Sequence, residues 1–258
     1  MQPRYYQAAA PIIIVVAFLA VWQVSASVLA VPAWLLPTPL HILAAGFADF
    51  SRILHHTAAT LKITVIGFAA GVLFGIAVAV WMQLIFPWLK QGFYPLLVLS
   101  QNIPIIVLAP LFVIWFGFGL LPKVLIIILV CFFPITVALL QGFAQTEKTL
   151  SDYMGMIGAN RNQRFWKLEF PHALPYLFSG LKISATYSVM GAVISEWTGA
   201  KDGIGIFMML QKSGFRTDLV FAAIFVIVAL SLGLFCLILL VEKLLIRWRP
   251  DAERGGKS

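Results

Sequence analysis

The 258-residue chain is 61% hydrophobic and only 11% charged, and its mean hydropathy is +0.97. A soluble domain carries about 45–50% apolar and about 25% charged residues, so this chain has more apolar surface than a water-soluble core can bury, and a lipid bilayer is the solvent that suits it. The formal net charge of +8 then reports membrane topology rather than nucleic-acid binding.

Six apolar runs are long enough to cross a bilayer, because each reaches the roughly 20 residues that a helix needs to span a hydrocarbon core of about 30 Å. A helix is predicted for each, since a helix satisfies its own backbone polar groups in lipid. The first run is too long for the apolar region of a signal peptide, about 7–15 residues, and is predicted to be retained. The fold class is therefore an all-α membrane protein with six transmembrane helices. The runs are Pro11–Val31, Leu61–Phe86, Phe93–Phe116, Leu121–Phe143, Gly180–Gly199 and Leu219–Ile246.

Three connections between these runs are longer than a turn. Pro32–Thr60 is predicted to lie outside the cell with a short helix at His41–Leu54. Ala200–Asp218 is predicted on the same side, with a short helix at Ile206–Lys212. Ala144–Ser179 is the largest polar stretch and is predicted to lie in the cytoplasm.

The basic residues predict that both chain ends are cytoplasmic. This orientation leaves 12 of the 18 basic residues inside and 6 outside, and positive charges concentrate in cytoplasmic loops. Lys62 and Lys123 lie at predicted helix ends, where a long side chain can reach the interface, so they discriminate little. The inner set is Arg4, Lys90, Lys148, Arg161, Arg164, Lys167, Lys182, Lys243, Arg247, Arg249, Arg254 and Lys257, and the outer set is Arg52, Lys62, Lys123, Lys201, Lys212 and Arg216.

The cytoplasmic stretch 152–175 is predicted to form a short helix, a break at Gly158-Ala159, a second helix and a stop at its prolines. The second helix has an apolar face and a basic face. Such an element suits docking into the groove of a soluble partner. It equally suits a helix that lies on anionic lipid, and the residues alone leave both interpretations open.

This stretch resembles the EAA loop of ABC importer permeases, whose pattern is Glu-Ala-Ala, three residues, Gly, then nine to twelve residues to a Leu-Pro. Gly158-Ala159, Phe165 and Phe170-Pro171 match the Gly, a hydrophobe and the end of the pattern, whereas Asp152-Tyr153-Met154 replaces Glu-Ala-Ala. In that family the loop forms a coupling helix that fits a cleft on the ATPase subunit. The resemblance assigns this role to Asp152, Gly158, Ala159, Arg161, Phe165, Trp166 and Pro171.

The resemblance extends over residues 57–249. Residues 101–117, QNIPIIVLAPLFVIWFG, are similar to the third helix of permeases grouped with nitrate, sulfonate and taurine importers. Residues 178–197, FSGLKISATYSVMGAVISEW, are similar to the branch associated with thiamine-precursor pyrimidines, whose related members handle riboflavin. The implied organisation is a first helix and outer loop in 1–56, the permease core in 57–249 with its coupling loop at 144–179, and a disordered tail in 250–258.

The resemblance implies a type I importer permease in a bacterial inner membrane, working as a homodimer. Two ABC ATPase subunits would bind below and an extracytoplasmic solute-binding protein above. ATP and Mg would be bound by the ATPase, and this chain would hold no cofactor, metal or catalytic residue. Gly256-Lys257-Ser258 resembles the end of a phosphate-binding loop, but Asp251 occupies the position of its first glycine.

Polar residues inside the predicted spans are candidates for a translocation pathway, because such groups tend to face protein or water. Glu196 either faces the cavity, holds an outer gate through a hydrogen bond, or pairs with Lys201 at the headgroups. Helical spacing predicts one shared face for Ser184, Tyr187 and Met190. The candidates are Gln101, Asn102, Pro104, Ser184, Tyr187, Ser188 and Glu196.

Two further patterns bear on packing and on rival functions. Gly67, Gly71 and Gly75 allow close helix approach, either within the subunit or at a dimer seam. A membrane-embedded enzyme would need a cluster of polar residues inside the spans, and the only carboxylates there, Glu196 and Glu242, lie in different spans. A channel or an ion-coupled transporter, which usually has inverted repeats, is the remaining alternative.

Overall fold

The structure is a computed structural model that describes residues 4–29, 31–84, 92, 95, 97, 99 and 102–246, with side chains described from residue 12 onward. The described residues form helices joined by short turns, and no strand occurs among them. Gln101, residues 93, 94, 96, 98 and 100 of the third predicted span, and the tail 250–258 lie outside the described residues. The helices are α1 Arg4–Val28, α2 Pro39–Ala48, α3 Phe50–Leu84, α4 Ile105–Phe116, α5 Leu120–Ala144, α6 Lys148–Met156, α7 Arg161–Arg164, α8 Phe170–Glu196, α9 Ile204–Ser213 and α10 Thr217–Leu245, with a π-helical turn Phe165–Glu169 between α7 and α8.

Four described helices are long and apolar enough to cross a membrane: α3, α5, the continuous helix Arg161–Glu196 and α10. They correspond to the second, fourth, fifth and sixth predicted spans. Of the first predicted span, the helix α1 has a described apolar part at Ile12–Val28. Of the third, the structure describes the 12-residue helix α4. The prediction of helical spans is thus confirmed for four of the six runs, and the number of six stays a prediction.

The outer loop after the first span is more helical than predicted. The helix expected at His41–Leu54 is wrong, because α2 ends at Ala48 and α3 begins at Phe50. Thr38 caps α2, since its Oγ1 accepts a hydrogen bond from the amide of His41 at 3.3 Å. Arg52, His55 and His56 lie on the first turns of α3. With its 35 residues, α3 is about 52 Å long. The predicted boundary at residue 57 falls inside this helix.

The helix that begins within the polar stretch 152–175 is continuous with the fifth span, and the predicted proline stop is wrong. The chain is helical without interruption for 36 residues from Arg161 to Glu196. Pro171 lies in the first turn of α8, directly after the π-helical turn, and Pro175 lies within α8. A proline in a helix lacks an N–H and crowds the carbonyl four residues earlier. The wider turn before Pro171 relieves this crowding, and membrane helices tolerate such prolines.

α5 is the central helix, because it packs against both α3 and α8. The glycine ladder of α3 forms one of these contacts: an added Cβ would lie 2.6 Å from Ile127 at Gly67, 2.7 Å from Cys131 at Gly71 and 2.9 Å from the Phe132 carbonyl at Gly75. The ladder therefore packs within the subunit, which resolves the alternative between an internal contact and a dimer seam.

One end of the bundle is closed by α9, the short helix between α8 and α10. This confirms the helix predicted at Ile206–Lys212. The observed helix begins two residues earlier, at Ile204, and ends one residue later, at Ser213. Ile204 and Phe207 of α9 are fully buried and pack with Ile42, Ile53 and Leu219 in one apolar cluster. This cluster fixes α9 against α2, α3 and α10.

Candidate functional site

The coupling segment, defined here as residues 148–169, turns sharply at Gly158. Gly158 has a φ of +84°, a left-handed conformation that glycine adopts without steric cost. The amide of Ala159 donates to the Met154 carbonyl at 2.9 Å, which closes the end of α6. Asn160 then starts α7 through a capping box with Gln163, whose two hydrogen bonds measure 2.8 and 2.9 Å. The predicted break at Gly158-Ala159 is thus present.

Phe165 anchors the coupling segment to the membrane bundle. Its ring is fully buried, and its centroid lies 5.4 Å from that of Phe143 on α5 and 5.9 Å from that of Phe170. Because the anchor lies on the same continuous helix as the fifth span, a displacement of the segment has to move α8 as well.

Polar contacts tie the same segment to the end of α3. Arg161 Nη2 donates to the Gln83 carbonyl at 2.6 Å, and Gln83 Nε2 donates to Glu169 Oε2 at 2.5 Å. Gln83 and Glu169 were not identified from the sequence. Gln83 lies far from the segment along the chain, and no spacing pattern connects the two.

The turn of the coupling segment exposes apolar side chains. Met156 is 79% exposed, Ile157 65% and Trp166 51%, and Tyr153 is exposed beside them. Asp152 is also exposed, and Pro171 is half-buried. Isolated exposed apolar residues are ordinary, but a contiguous group of them marks a surface that binds another protein or a membrane.

Two of the predicted pathway residues share a cavity of about 220 Å³ at the start of α4. Pro104 and Tyr187 line it together with Ile103 and Met190. Asn102 is exposed next to this cavity. Tyr187 and Met190 therefore do share a face of α8, as their spacing predicted.

Ser184 and Ser188 are fully buried between helices, so the face predicted to be shared by Ser184 with Tyr187 and Met190 is wrong for Ser184. Ser184 Oγ donates to the Cys131 carbonyl of α5 at 2.8 Å, and Ser188 Oγ donates to the Ala185 carbonyl at 2.7 Å. Positions three apart on a helix differ by about 60° around its axis. Two such steps separate Ser184 from Met190, which is enough to turn Ser184 into the contact with α5.

Glu196 is fully buried at the end of α8 and binds the start of α9. Its carboxylate accepts hydrogen bonds from the Gly205 amide and from Thr60 Oγ1, each at 2.7 Å. Both the pairing with Lys201 and the cavity-facing position are therefore wrong, because each carboxylate oxygen is engaged inside the bundle.

Two residues of α3 complete this contact with α9 and were not identified as site residues from the sequence. Thr60 Oγ1 accepts from the Ile204 amide at 2.7 Å, and His56 Nδ1 accepts from the Gly203 amide at 3.1 Å. Three successive amides before and within the first turn of α9 thus have side-chain acceptors. These three acceptors, His56, Thr60 and Glu196, are called the α9 cap below.

The chain is similar to proteins of one transport family over nearly its whole length. Residues 71–247 match the model for the binding-protein-dependent transport system inner membrane component. The chain is 37% identical to the formylaminopyrimidine transport permease protein ThiX of Halalkalibacterium halodurans, with 95% of this chain and 98% of that protein covered. It is 32% identical to the riboflavin transport system permease protein RibX of Chloroflexus aurantiacus, with 89% and 86% covered.

Solved structures show the same fold at low identity. A chain of the MetNI methionine ABC transporter, in inward-facing conformations, aligns with a TM-score of 0.61 at 16% identity, covering 75% of this chain and 98% of that one. The apolar helices and the family together make this a multi-pass protein of the inner membrane. Because the family's sequence model matches more than half of its residues, the chain belongs to the family of binding-protein-dependent transport system inner membrane components, as the permease subunit of an ABC importer.

Proposed function

We propose that this permease carries a thiamine-precursor pyrimidine into the cell, and that residues 148–169 couple it to a separate ATPase subunit. The main support for this substrate is the identity of 37% to a formylaminopyrimidine permease over 95% of the chain. Riboflavin is the alternative, supported by the identity of 32% to RibX, and a sulfonate, taurine or nitrate is the next.

The proposed coupling depends on an exposed apolar turn at the end of a rigid helix. Met156, Ile157 and Trp166 form the contact surface for the ATPase, which binds ATP and Mg. From Phe165 to Glu196 the helix is about 47 Å long, so it reaches from the coupling segment through the membrane to the α9 cap. Closure of two ATPase subunits draws two coupling segments together, and the attached helices expose the pathway to the outside. Hydrolysis reverses the movement, which is alternating access.

The proposed assembly contains two copies of this chain, two ATPase subunits and an extracytoplasmic binding protein. One copy has a cavity of only about 220 Å³ at Pro104 and Tyr187, open on one side. A second copy that faces this cavity would enclose the pathway. The binding protein would deliver the pyrimidine to the end of the bundle that α9 closes.

The coupling proposal is tested by co-purification with the ATPase subunit of the same transport system. Met156→Asp/Ile157→Asp should release the ATPase from the purified complex, because two charges replace the exposed apolar contact. The matched control is Phe215→Asp, which changes an aromatic residue that is 73% exposed at the opposite end of the bundle. Retention of the ATPase by the double variant, or its equal loss from the control, would contradict the proposal.

The substrate proposal is tested by uptake into proteoliposomes that contain the whole complex and its binding protein. Labelled formylaminopyrimidine should accumulate only with ATP inside, and excess riboflavin or taurine should not compete. Tyr187→Ala should reduce uptake about 2- to 12-fold while leaving ATPase binding intact, because a phenol ring that stacks on the pyrimidine contributes roughly 0.5–1.5 kcal/mol. Ile183→Ala, at an exposed position one turn away, is the control. Uptake without ATP would favour an ion-coupled transporter or a channel.

A further inference from the structure

A cavity of about 510 Å³ lies at the opposite end of the bundle from the coupling segment, and three lysines line it. Lys62 lies on α3, Lys123 in the first turn of α5 and Lys201 in the turn after α8. Lys62 precedes Gln83, which contacts the coupling segment, by 21 residues of continuous helix, or about 32 Å. The cavity is therefore one hydrocarbon thickness away from the coupling segment, at the other membrane surface.

The positive charge of this cavity is poorly balanced. The ion pairs in the described part of the chain join Arg52 to Asp49, His55 to Asp202, Lys182 to Glu242 and Arg216 to Asp218, and none of them includes the three lysines. Asp202 is the one carboxylate in the described lining, and its Oδ1 lies 3.2 Å from His55 Nε2. Glu196, on the α8 side, is turned inward to the α9 cap.

The start of α5 adds to the positive electrostatic potential of the cavity. Gly119 and Leu120, where this 25-residue helix begins, line the cavity, and the first turn contains no acidic residue. Gly119 provides no side-chain cap. The N-terminus of a helix carries a partial positive charge, and a lysine in the first turn is unfavourable there. Three lysines and a helix N-terminus that line one cavity are a charge arrangement that an anion would stabilise.

We propose that this cavity binds an oxyanion of the phosphate type. The ligand is either the phosphate of an outer-leaflet phospholipid or a free phosphate in the extracytoplasmic space, since both present the same group to the lysines. Ile63 and Phe118 give the cavity an apolar wall beside the charged groups, which accommodates the non-polar part of a lipid without excluding a free anion. The proposed site does not depend on which substrate is transported. It lies at the opposite end of the bundle from the coupling segment.

The test compares two double variants of the full complex that remove the same charge. Lys62→Gln/Lys123→Gln removes two lysines of the cavity, and Lys212→Gln/Lys243→Gln removes two lysines elsewhere on the chain. In phosphatidylcholine nanodiscs, calorimetry at constant ionic strength measures the affinity for inorganic phosphate. In mixed nanodiscs, native mass spectrometry counts the phosphatidylglycerol molecules that stay bound. Each lysine near a phosphate contributes about a 5-fold effect, so the cavity variant should weaken binding about 30-fold, and the control less than 2-fold.

The two probes separate the sources of the ligand. Loss of phosphate affinity in the cavity variant supports a free anion, and loss of retained phosphatidylglycerol alone supports a lipid headgroup. Lys62→Arg/Lys123→Arg should keep the binding, which guards against an effect of misfolding. Binding of both probes by the cavity variant within 2-fold of the wild-type complex, or equal weakening in the control, would overturn the proposal.

Discussion

At the scale of single residues, Glu196 shows how a buried charge is held in this bundle. A carboxylate in an apolar interior is costly unless its oxygens accept hydrogen bonds. Glu196 has one such bond on each oxygen, to Thr60 Oγ1 and to the Gly205 amide. Gly203, with a φ of +134°, lies against the carboxylate, so that no side chain fits there. The carboxylate therefore works as a joint between α3, α8 and α9.

Replacing Glu196 by alanine should destabilise the protein by about 2–4 kcal/mol. The Gly205 amide would lose its acceptor, and a buried unsatisfied donor costs about 1–3 kcal/mol. The Thr60 hydroxyl would keep only its 3.2 Å bond to the His56 carbonyl. Thermal unfolding of the purified protein in detergent, followed by circular dichroism, measures the effect. Glu196→Gln should lose less stability than Glu196→Ala, because the amide oxygen of glutamine can still accept one of the two hydrogen bonds.

Glu147→Ala is the control for this change, since Glu147 is exposed and its side chain does not cap α6. It should unfold at the same temperature as the wild-type protein. Equal unfolding temperatures for Glu196→Ala and Glu147→Ala would mean that the α9 cap contributes nothing to stability.

At the scale of elements, the contact between α3 and α5 depends on close approach of the two backbones. Lipid supplies no hydrophobic driving force for association of helices, so van der Waals packing at small residues holds them together. Gly67, Gly71 and Gly75 provide that surface, and Thr136 Oγ1 on α5 adds a hydrogen bond to the Gly75 carbonyl at 3.0 Å. α5 also contacts α8. In the proposed mechanism, α3 and α5 therefore form the rigid pair of helices against which α8 moves.

Gly71→Ala should destabilise the protein by about 1–3 kcal/mol, the usual cost of overpacking. The added Cβ would lie 2.7 Å from Cys131 Cβ and 3.4 Å from Ile128 Cα, atoms that cannot move without their helix. Gly233→Ala on α10 is the matched control, since nothing lies within 4 Å of its added Cβ. There the helix propensity of alanine should add stability, up to about 1 kcal/mol. The same unfolding assay compares the two variants, and a stabilising Gly71→Ala would be the contrary result.

At the scale of the whole molecule, the spans separate two ends with different surfaces. One end has the coupling segment with its exposed apolar turn, and the other has α9, its cap and the three lysines of the cavity. The helix Arg161–Glu196 connects the two directly. The proposed mechanism requires the coupling segment to face the cytosol, where ATP is available.

This orientation predicts the result of cysteine labelling in intact cells. In a background with Cys131→Ala and Cys236→Ala, Asn162→Cys should react with a membrane-impermeant maleimide only after the cells are permeabilised. Phe215→Cys should react without permeabilisation, because residue 215 belongs to the exposed turn between α9 and α10. The reverse pattern would put the coupling segment outside and remove the basis for ATPase coupling.

The sequence by itself determined the class of the protein and the position of the turn within residues 148–169. Apolar runs of about 20 residues predict spanning helices whatever the packing, because lipid leaves the backbone no other partner. The break at Gly158 was also predictable, since the turn needs only the local conformational freedom of glycine. Tyr153 and Met154 stand where the EAA pattern has two alanines. The resemblance was still detectable, because Gly158 and Phe165 lie at the positions that the pattern gives to its glycine and a hydrophobic residue.

Only the tertiary structure decided which polar residues face a cavity and which join helices. Ser184, Tyr187 and Ser188 lie close together on one helix, yet the angle at which α8 packs on α5 buries the two serines and leaves Tyr187 open. The partners of Glu196 are Thr60, 136 residues earlier, and the Gly205 amide in the first turn of α9. Such contacts depend on how separate helices meet, and sequence periodicity describes one helix at a time. The three lysines likewise lie around one cavity only because α3, the start of α5 and the turn after α8 meet there.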